Sequence, residues 1–197
     1  MFSLILILVA ASAPALAAES ITDPRDGDRY KVVTLGTQRW MAENLRYRTA
    51  DSRCYENDEG NCAVHGRLYR FPDAMTACPP GWRIPTEEEW QGLERWLGMK
   101  ESDIVKRNMR APGLGTRLKE GGDTGFNAKF SGWIDPHLGE RSASMGRNAA
   151  FWASTETKDK VVWHRDVAVM HEGVWRSAVD ITYWLSTRCI EHKPKAQ

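Results

Sequence analysis

Four cysteines behind an apolar leader constrain this chain more than any other feature: Cys54, Cys62, Cys78 and Cys189. Leu4 to Ala11 form an apolar run, followed by Ser12-Ala13-Pro14 and the small residues Ala15-Leu16-Ala17, the pattern of a secretory signal peptide cleaved near Ala17 or Ala18. The run falls short of the roughly 20 apolar residues a spanning helix needs, and polar Glu19 and Ser20 follow at once. No cysteine stands near the cleavage site to carry a lipid. The expected organisation is a signal peptide over 1–18 and a single soluble domain over 19–197, secreted or held in the periplasm or cell envelope, with no membrane span after cleavage.

An oxidising compartment favours disulfides over thiols, and four cysteines allow three pairings. The polar, turn-rich stretch Glu56 to Asn61 favours a local Cys54–Cys62 bridge, which leaves Cys78 for Cys189. In the chain-entropy model the long closure contributes about 4 to 5 kcal/mol and the short one about 2.5. No cysteines form a CxxC pair, and His65 has no partner at ligand spacing, so neither a metal site nor a cofactor is expected. The charge is balanced, 27 Lys+Arg against 26 Asp+Glu, which removes the electrostatic case for nucleic acid as a partner.

Tyr30 to Leu35 reads as a strand, Gln38 to Leu45 as a second, and Gly66 to Phe71 as extended chain before a short helix from Pro72 through Cys78. After Pro85, Thr86 and Glu89 form a capping box, and Trp90, Leu93 and Leu97 recur at helical spacing until Gly98. A second helix is expected from Ser102 to about Arg110, burying Ile104, Val105 and Met109. Gly113 to Gly125 breaks regularity. Phe126 to Trp133, Phe151 to Thr155, Val161 to Val169, Val174 to Arg176 and Tyr183 to Ile190 then read as strands. Early strands, two helices, a long irregular region and a late, mainly antiparallel sheet make an α+β fold. Gly113-Leu114-Gly115 lacks the further glycine of a dinucleotide turn, and Glu120-Gly121-Gly122-Asp123 lacks the Lys-Ser/Thr of a phosphate loop.

Several motifs stand in a recognisable order: Trp40-Met41-Ala42-Glu43-Asn44-Leu45, Gly66-Arg67-Leu68-Tyr69, Ala77-Cys78-Pro79-Pro80-Gly81-Trp82-Arg83-Ile84-Pro85-Thr86, Phe151-Trp152-Ala153-Ser154-Thr155-Glu156 and Ser186-Thr187-Arg188-Cys189-Ile190. Through them the chain resembles the family named for the Fibrobacter succinogenes major paralogous domain. The resemblance implies a disulfide-stabilised C-type-lectin-like fold, distantly similar to the formylglycine-generating and sulfatase-modifying enzymes. It also supports the long bridge, since in such folds a disulfide ties a helical region to the final strand. It implies fold more firmly than activity.

The region from about Gly113 to Arg147 is the expected binding surface. There Trp133, Asp135, His137, Glu140 and Arg141 combine an aromatic platform with polar groups, a mixture suited to a protein or a glycan. The competing reading makes Trp133 core and the others solvated loop residues. Glu-Pro-Asn, Gln-Pro-Asp and Trp-Asn-Asp are absent, which argues against standard calcium-dependent sugar binding. Formylglycine-type oxidation needs reactive thiols, commonly with copper, and the expected bridges consume all four. Ser154, His164 and Asp166 supply hydrolase residue types without a nucleophile elbow. Trp82, Trp152, Trp163, Trp175 and Trp184 are mostly expected in the core, where they would serve a purely structural envelope protein equally well. The expectation is a non-enzymatic binding or envelope module, its partner an unknown protein or glycan.

Overall fold

The computed structural model describes residues 19–156 and 161–192; the expected leader lies outside them. Strands β1 (Ser20–Thr22), β2 (Arg29–Leu35) and β3 (Gln38–Met41) come first. Helix α1 (Glu59–His65), β4 (Leu68–Tyr69), α2 (Phe71–Ala77), β5 (Trp82–Arg83), α3 (Glu87–Trp96), α4 (Glu101–Ile104), β6 (Asn108–Arg110) and α5 (Leu114–Leu118) follow. The last stretch holds β7 (Ser131–Asp135), β8 (Arg141–Met145), β9 (Asn148–Glu156), β10 (Val161–Ala168), β11 (Val174–Asp180), β12 (Leu185–Ser186) and β13 (Ile190–Glu191). One sheet runs β1-β2-β3-β13-β5, antiparallel throughout. The other runs β4-β12-β9-β10-β11-β6, with the β7–β8 hairpin joined alongside β9.

The chain is therefore α+β as expected, with five short α-helices among the described residues where a short helix after Pro72 and two longer ones were foreseen. Both disulfides form as paired from the sequence, Cys54 to Cys62 and Cys78 to Cys189, with Cα atoms 5.1 and 6.0 Å apart. The long bridge fastens the end of α2 to the residue before β13. The Cys54–Cys62 stretch is more ordered than a polar loop: Asp58 accepts a hydrogen bond from the Gly60 N–H and starts α1, which carries Cys62.

Helix α3 starts as its residues dictate. The Thr86 hydroxyl accepts from the Glu89 N–H at 3.2 Å, and the Glu89 carboxylate accepts from the Thr86 N–H at 2.8 Å. Trp90 and Leu93 then enter a core whose rings stack between the two sheets: Trp40 lies 4.9 Å from Trp90, and Phe126 lies 5.7 Å from Phe151.

The recognisable motifs hold one another. The final segment leaves one sheet after β12 and joins the other at β13, and Arg188 sits fully buried at that crossing. Its guanidinium donates to Asn44 Oδ1 at 2.6 Å and to the carbonyls of Met41, Phe126 and Asn127. Burial pulls its pKa down to about 9, with some return from the Glu43 charge. Leu45 N–H donates to Thr187 O and Trp152 Nε1 to Tyr69 O, so each motif satisfies polar groups of another.

Three expectations are corrected. Strand β3 ends at Met41, because the chain beyond it turns to bring Asn44 onto Arg188. The helix foreseen from Ser102 to Arg110 stops at Ile104, and residues 108–110 form β6 instead. The cause is that Arg110 and Arg176 donate to the carbonyls of Ile104 and Val105, which a continuing helix would need for its own N–H groups. Val105 and Met109, expected inside, are 65% and 46% exposed. Among the tryptophans, Trp152 and Trp184 are buried as foreseen, whereas Trp82 and Trp163 are half-buried and Trp175 is exposed.

Candidate functional site

The site begins with the two-residue period of β10. His164 and Asp166 project from one face of the sheet, and Arg165 from the other. On β9, Trp152 and Ala150 lie opposite His164 and Asp166. On β11, Ser177 and Trp175 occupy the corresponding places. Register alone therefore collects Asn148, His164, Asp166, Trp175 and Ser177 on one face.

Arg165 meets helix α3. Its guanidinium donates to both oxygens of Glu87 at 2.9 Å and to Glu94 at 2.6 Å. Arg110 takes Glu94 through two nitrogens, at 3.0 and 2.6 Å, and Arg176 takes Glu87 at 2.7 Å. Burial would raise the Glu87 carboxyl, but bonds and charges from Arg165 and Arg176 outweigh it and hold it below its ordinary value. Both carboxylates of this cluster are held by arginines, and Arg110 and Arg176 donate as well to the carbonyls of Ile104 and Val105.

The opposite face is only partly covered. Where α2 and the chain before β12 lie over it, Phe71, Tyr183 and Leu185 pack on Trp152 and Val162. The rest opens into two depressions that meet at His164 and Asp166. One, of about 260 Å3, is bordered by Met109, Asn148, His171, Trp175 and Ser177. The other, of about 220 Å3, is bordered by Trp133, Asp135, Val179 and Tyr183. Asn148 Nδ2 donates to both Asp166 oxygens, at 3.0 and 3.2 Å, and no arginine or lysine pairs with that carboxylate among the described residues. Burial pushes the Asp166 carboxyl up to about 7, with Asn148 only partly countering it. His164 is 8% exposed, and its Nδ1 has no hydrogen-bond partner among the described residues. Burial, with the neighbouring Arg165 charge, lowers the imidazole to about 4, so it is neutral at pH 7.

Of the five residues singled out from the sequence, Trp133 and Asp135 border this groove. Asp135 caps the turn at Pro136–Leu138 by accepting from the His137 N–H at 2.9 Å. His137 is exposed at the rim, its ring 5.6 Å from Tyr183. Glu140, at the tip of the β7–β8 hairpin, is occupied by Arg53 at 2.6 Å and Arg70 at 3.4 Å. Arg141 opens β8 opposite Asp135 and is exposed. The five do not form one site. The region from Gly113 to Arg147 is also less irregular than foreseen, since it holds α5, β7 and β8.

Asn148 and Ser177 were not anticipated, and Trp175 was placed in the core. The signal of the first two was a polar residue facing the same side as His164 and Asp166, meaningful only once the three strands are in register. His164 and Asp166, considered for hydrolysis, do share a face, but Ser154 is not the serine opposite His164; Ser177 is. The one group of metal-ligating side chains among the described residues is Cys54, Glu59 and Cys62, whose sulfurs are bonded to each other.

The Fibrobacter succinogenes major domain family model matches residues 33–191. No curated protein and no solved structure matches the chain significantly.

Proposed function

The chain belongs to the Fibrobacter succinogenes major domain family, and from that premise we propose an exported, non-enzymatic binding module whose site is the groove on the open face of β9, β10 and β11. The observation that carries this is His164, buried with an unpartnered Nδ1 and bordering both depressions, beside a carboxylate that pairs with no lysine or arginine among the described residues. Buried polar groups are nearly always satisfied within a protein, and of the unpartnered atoms among the described residues, which also include His65 Nδ1, Arg70 Nε, Arg110 Nε and Thr187 Oγ1, that of His164 belongs to a residue bordering a depression. An exposed indole at the rim adds the apolar surface such sites use for affinity.

Binding without catalysis is favoured by what the polar groups do not do. A nucleophilic serine needs a histidine that is itself oriented by a carboxylate. Here Asp166 is engaged by Asn148, and the histidine nitrogen that an acid would orient is unpartnered. A C-type-lectin-like scaffold is supported by the disulfide from the helical region to the final strand and by the last strand lying next to β3. Export is supported by the leader pattern and two disulfides, and no helix among the described residues is long and apolar enough to cross a membrane.

Screening the oxidised protein against a mixed small-molecule library by NMR tests the site. Hits should shift the resonances of Asn148, His164, Asp166, Trp175 and Ser177. Hits that consistently map to another surface would overturn the proposal.

A further inference from the structure

We infer that the groove takes an alkylammonium group, a positively charged nitrogen on an aliphatic stem, with Asp166 and His164 receiving the nitrogen and Trp175 and Met109 receiving the stem. The assignment presupposes that the groove is the binding site and adds the chemistry of its ligand.

Charge accounting inside the molecule leads there. Asp23, Glu87, Glu89 and Glu94 are drawn into the interior, and each lies against an arginine: Arg25, Arg165 with Arg176, Arg83, and Arg110 with Arg165. Asp166, half-buried in the groove, has only the neutral amide of Asn148 among the described residues. A desolvated carboxylate without a counter-charge is costly, and a cation entering the groove supplies what the fold withholds. Neutral His164 adds no positive charge beside it, so the charge at this point of the groove is that of Asp166, which attracts a cation and repels an anion.

The surroundings fit the rest of such a ligand. Trp175 is 38% exposed and Met109 is 46% exposed, and both border the depression that holds Asp166. An indole face attracts ammonium groups and also packs methylene stems, and a thioether adapts to them. Guanidinium is a poorer fit, because its planar fork seeks two free carboxylate oxygens and both Asp166 oxygens already receive Asn148. The groups facing Asp166 are His164 on its own strand, Asn148 on β9, Trp175 and Ser177 on β11, Met109 on β6, His171 beyond β10, and Asp135 with Tyr183 in the adjoining depression. None is a lysine or an arginine. Lys119, outside this group, is occupied by the His171 carbonyl at 2.7 Å.

The test is an NMR titration of the oxidised protein with n-butylammonium, with the tripeptide Gly-Lys-Gly blocked at both ends, and with their neutral counterparts n-butanol and the Nε-acetylated tripeptide. The two cationic probes should shift Asp166, His164 and Trp175 and bind at least tenfold tighter than the neutral ones. Affinity should rise between pH 5 and pH 7 by roughly tenfold per unit, as Asp166 ionises. Asp166→Asn should remove both the tenfold preference and the pH dependence, and Trp175→Ala, at an exposed position, should weaken both cationic probes without altering the fold. A lysine tripeptide tenfold tighter than n-butylammonium identifies a polypeptide source; equal affinities identify a free amine. If n-butanol or methyl glucoside shifts the groove as strongly as the ammonium, the cation assignment fails while the groove stands as a binding site. If no probe shifts it, both fail.

Discussion

Arg165 and its neighbours His164 and Asp166 are consecutive in β10 yet live in opposite environments. On the covered face, three guanidiniums and two carboxylates share bonds of 2.6 to 3.0 Å beneath α3. On the open face, a half-buried acid and a buried imidazole have been given one amide between them. The sheet separates the two faces by the thickness of one backbone. A charge needed for stability is completed by the fold itself, whereas a polar group left incomplete at a groove keeps its capacity for something that arrives from outside.

Breaking the covered cluster should have the largest effect. Glu94→Gln leaves Arg110 buried without its carboxylate and takes from Arg165 one of its two, and loss of one partner of such a pair costs about 3 to 5 kcal/mol. Urea unfolding at pH 7 measures it. A loss below about 1 kcal/mol would mean that water already screens the cluster and that the two faces differ less than their geometry indicates.

That cluster also marks the limit of sequence reasoning. The capping box at Thr86 and Glu89, both disulfides and the α+β class were legible, because each depends on local spacing or on counting. Glu87 stands in the first turn of α3, where an acidic residue suits the helix dipole, but it turns inward to Arg165, 78 positions away. The helix foreseen over Ser102–Arg110 failed for the same reason: Arg110 is required at Glu94, and no helical period encodes that demand. The groove was less legible still. His164 and Asp166 stand two apart in any extended strand, but their meeting with Asn148 and Trp175 depends on pairing across three strands, including an irregularity in register between Val162 and His164. The motifs that carried the family resemblance lie elsewhere and bind one another, as Asn44 does Arg188. They are legible because they build the scaffold, and for that reason they say little about the ligand.

On the open face the largest effect belongs to Asp166. Its carboxyl is raised from 3.8 to about 7, so the folded state holds a proton that the unfolded state has released across that window. Stability from this group is therefore fully present below about pH 4 and is lost as pH rises through 7. Asp166→Asn should match wild type near pH 4 and exceed it at pH 8, by up to about 4 kcal/mol, the ceiling set by a shift of that size. Denaturant unfolding across that range provides the measurement, and an Asn variant less stable than wild type at pH 8 would show that the carboxylate has a partner after all.

His164 should act with the opposite sign and a smaller amplitude. Its pKa falls from 6.5 to about 4, so between those values the unfolded chain binds the extra proton, and wild-type stability rises with pH. The two groups then nearly cancel between pH 4 and 6.5. His164→Gln removes one slope and leaves the other. It should be more stable than wild type near pH 4.5, by up to about 3 kcal/mol, with the advantage gone by pH 7. An unchanged pH profile would place the imidazole in contact with water.

The smallest effect is expected at the indole that the groove exposes. Trp90, 1% exposed beneath the covered face, should cost about 3 to 5 kcal/mol when replaced by alanine, because its removal leaves a cavity among Trp40, Phe126 and Phe151. Trp175, 38% exposed, has no ring partner among the described contacts and leaves only a shallower groove, so Trp175→Ala should cost under about 1 kcal/mol. Thermal unfolding of the two variants side by side gives the comparison directly. A large loss at Trp175 would return it to the core, where composition alone had placed it. A small loss leaves a bulky indole that contributes little to folding, standing at the mouth of an acid the fold has not neutralised, where its packing surface is available to a ligand.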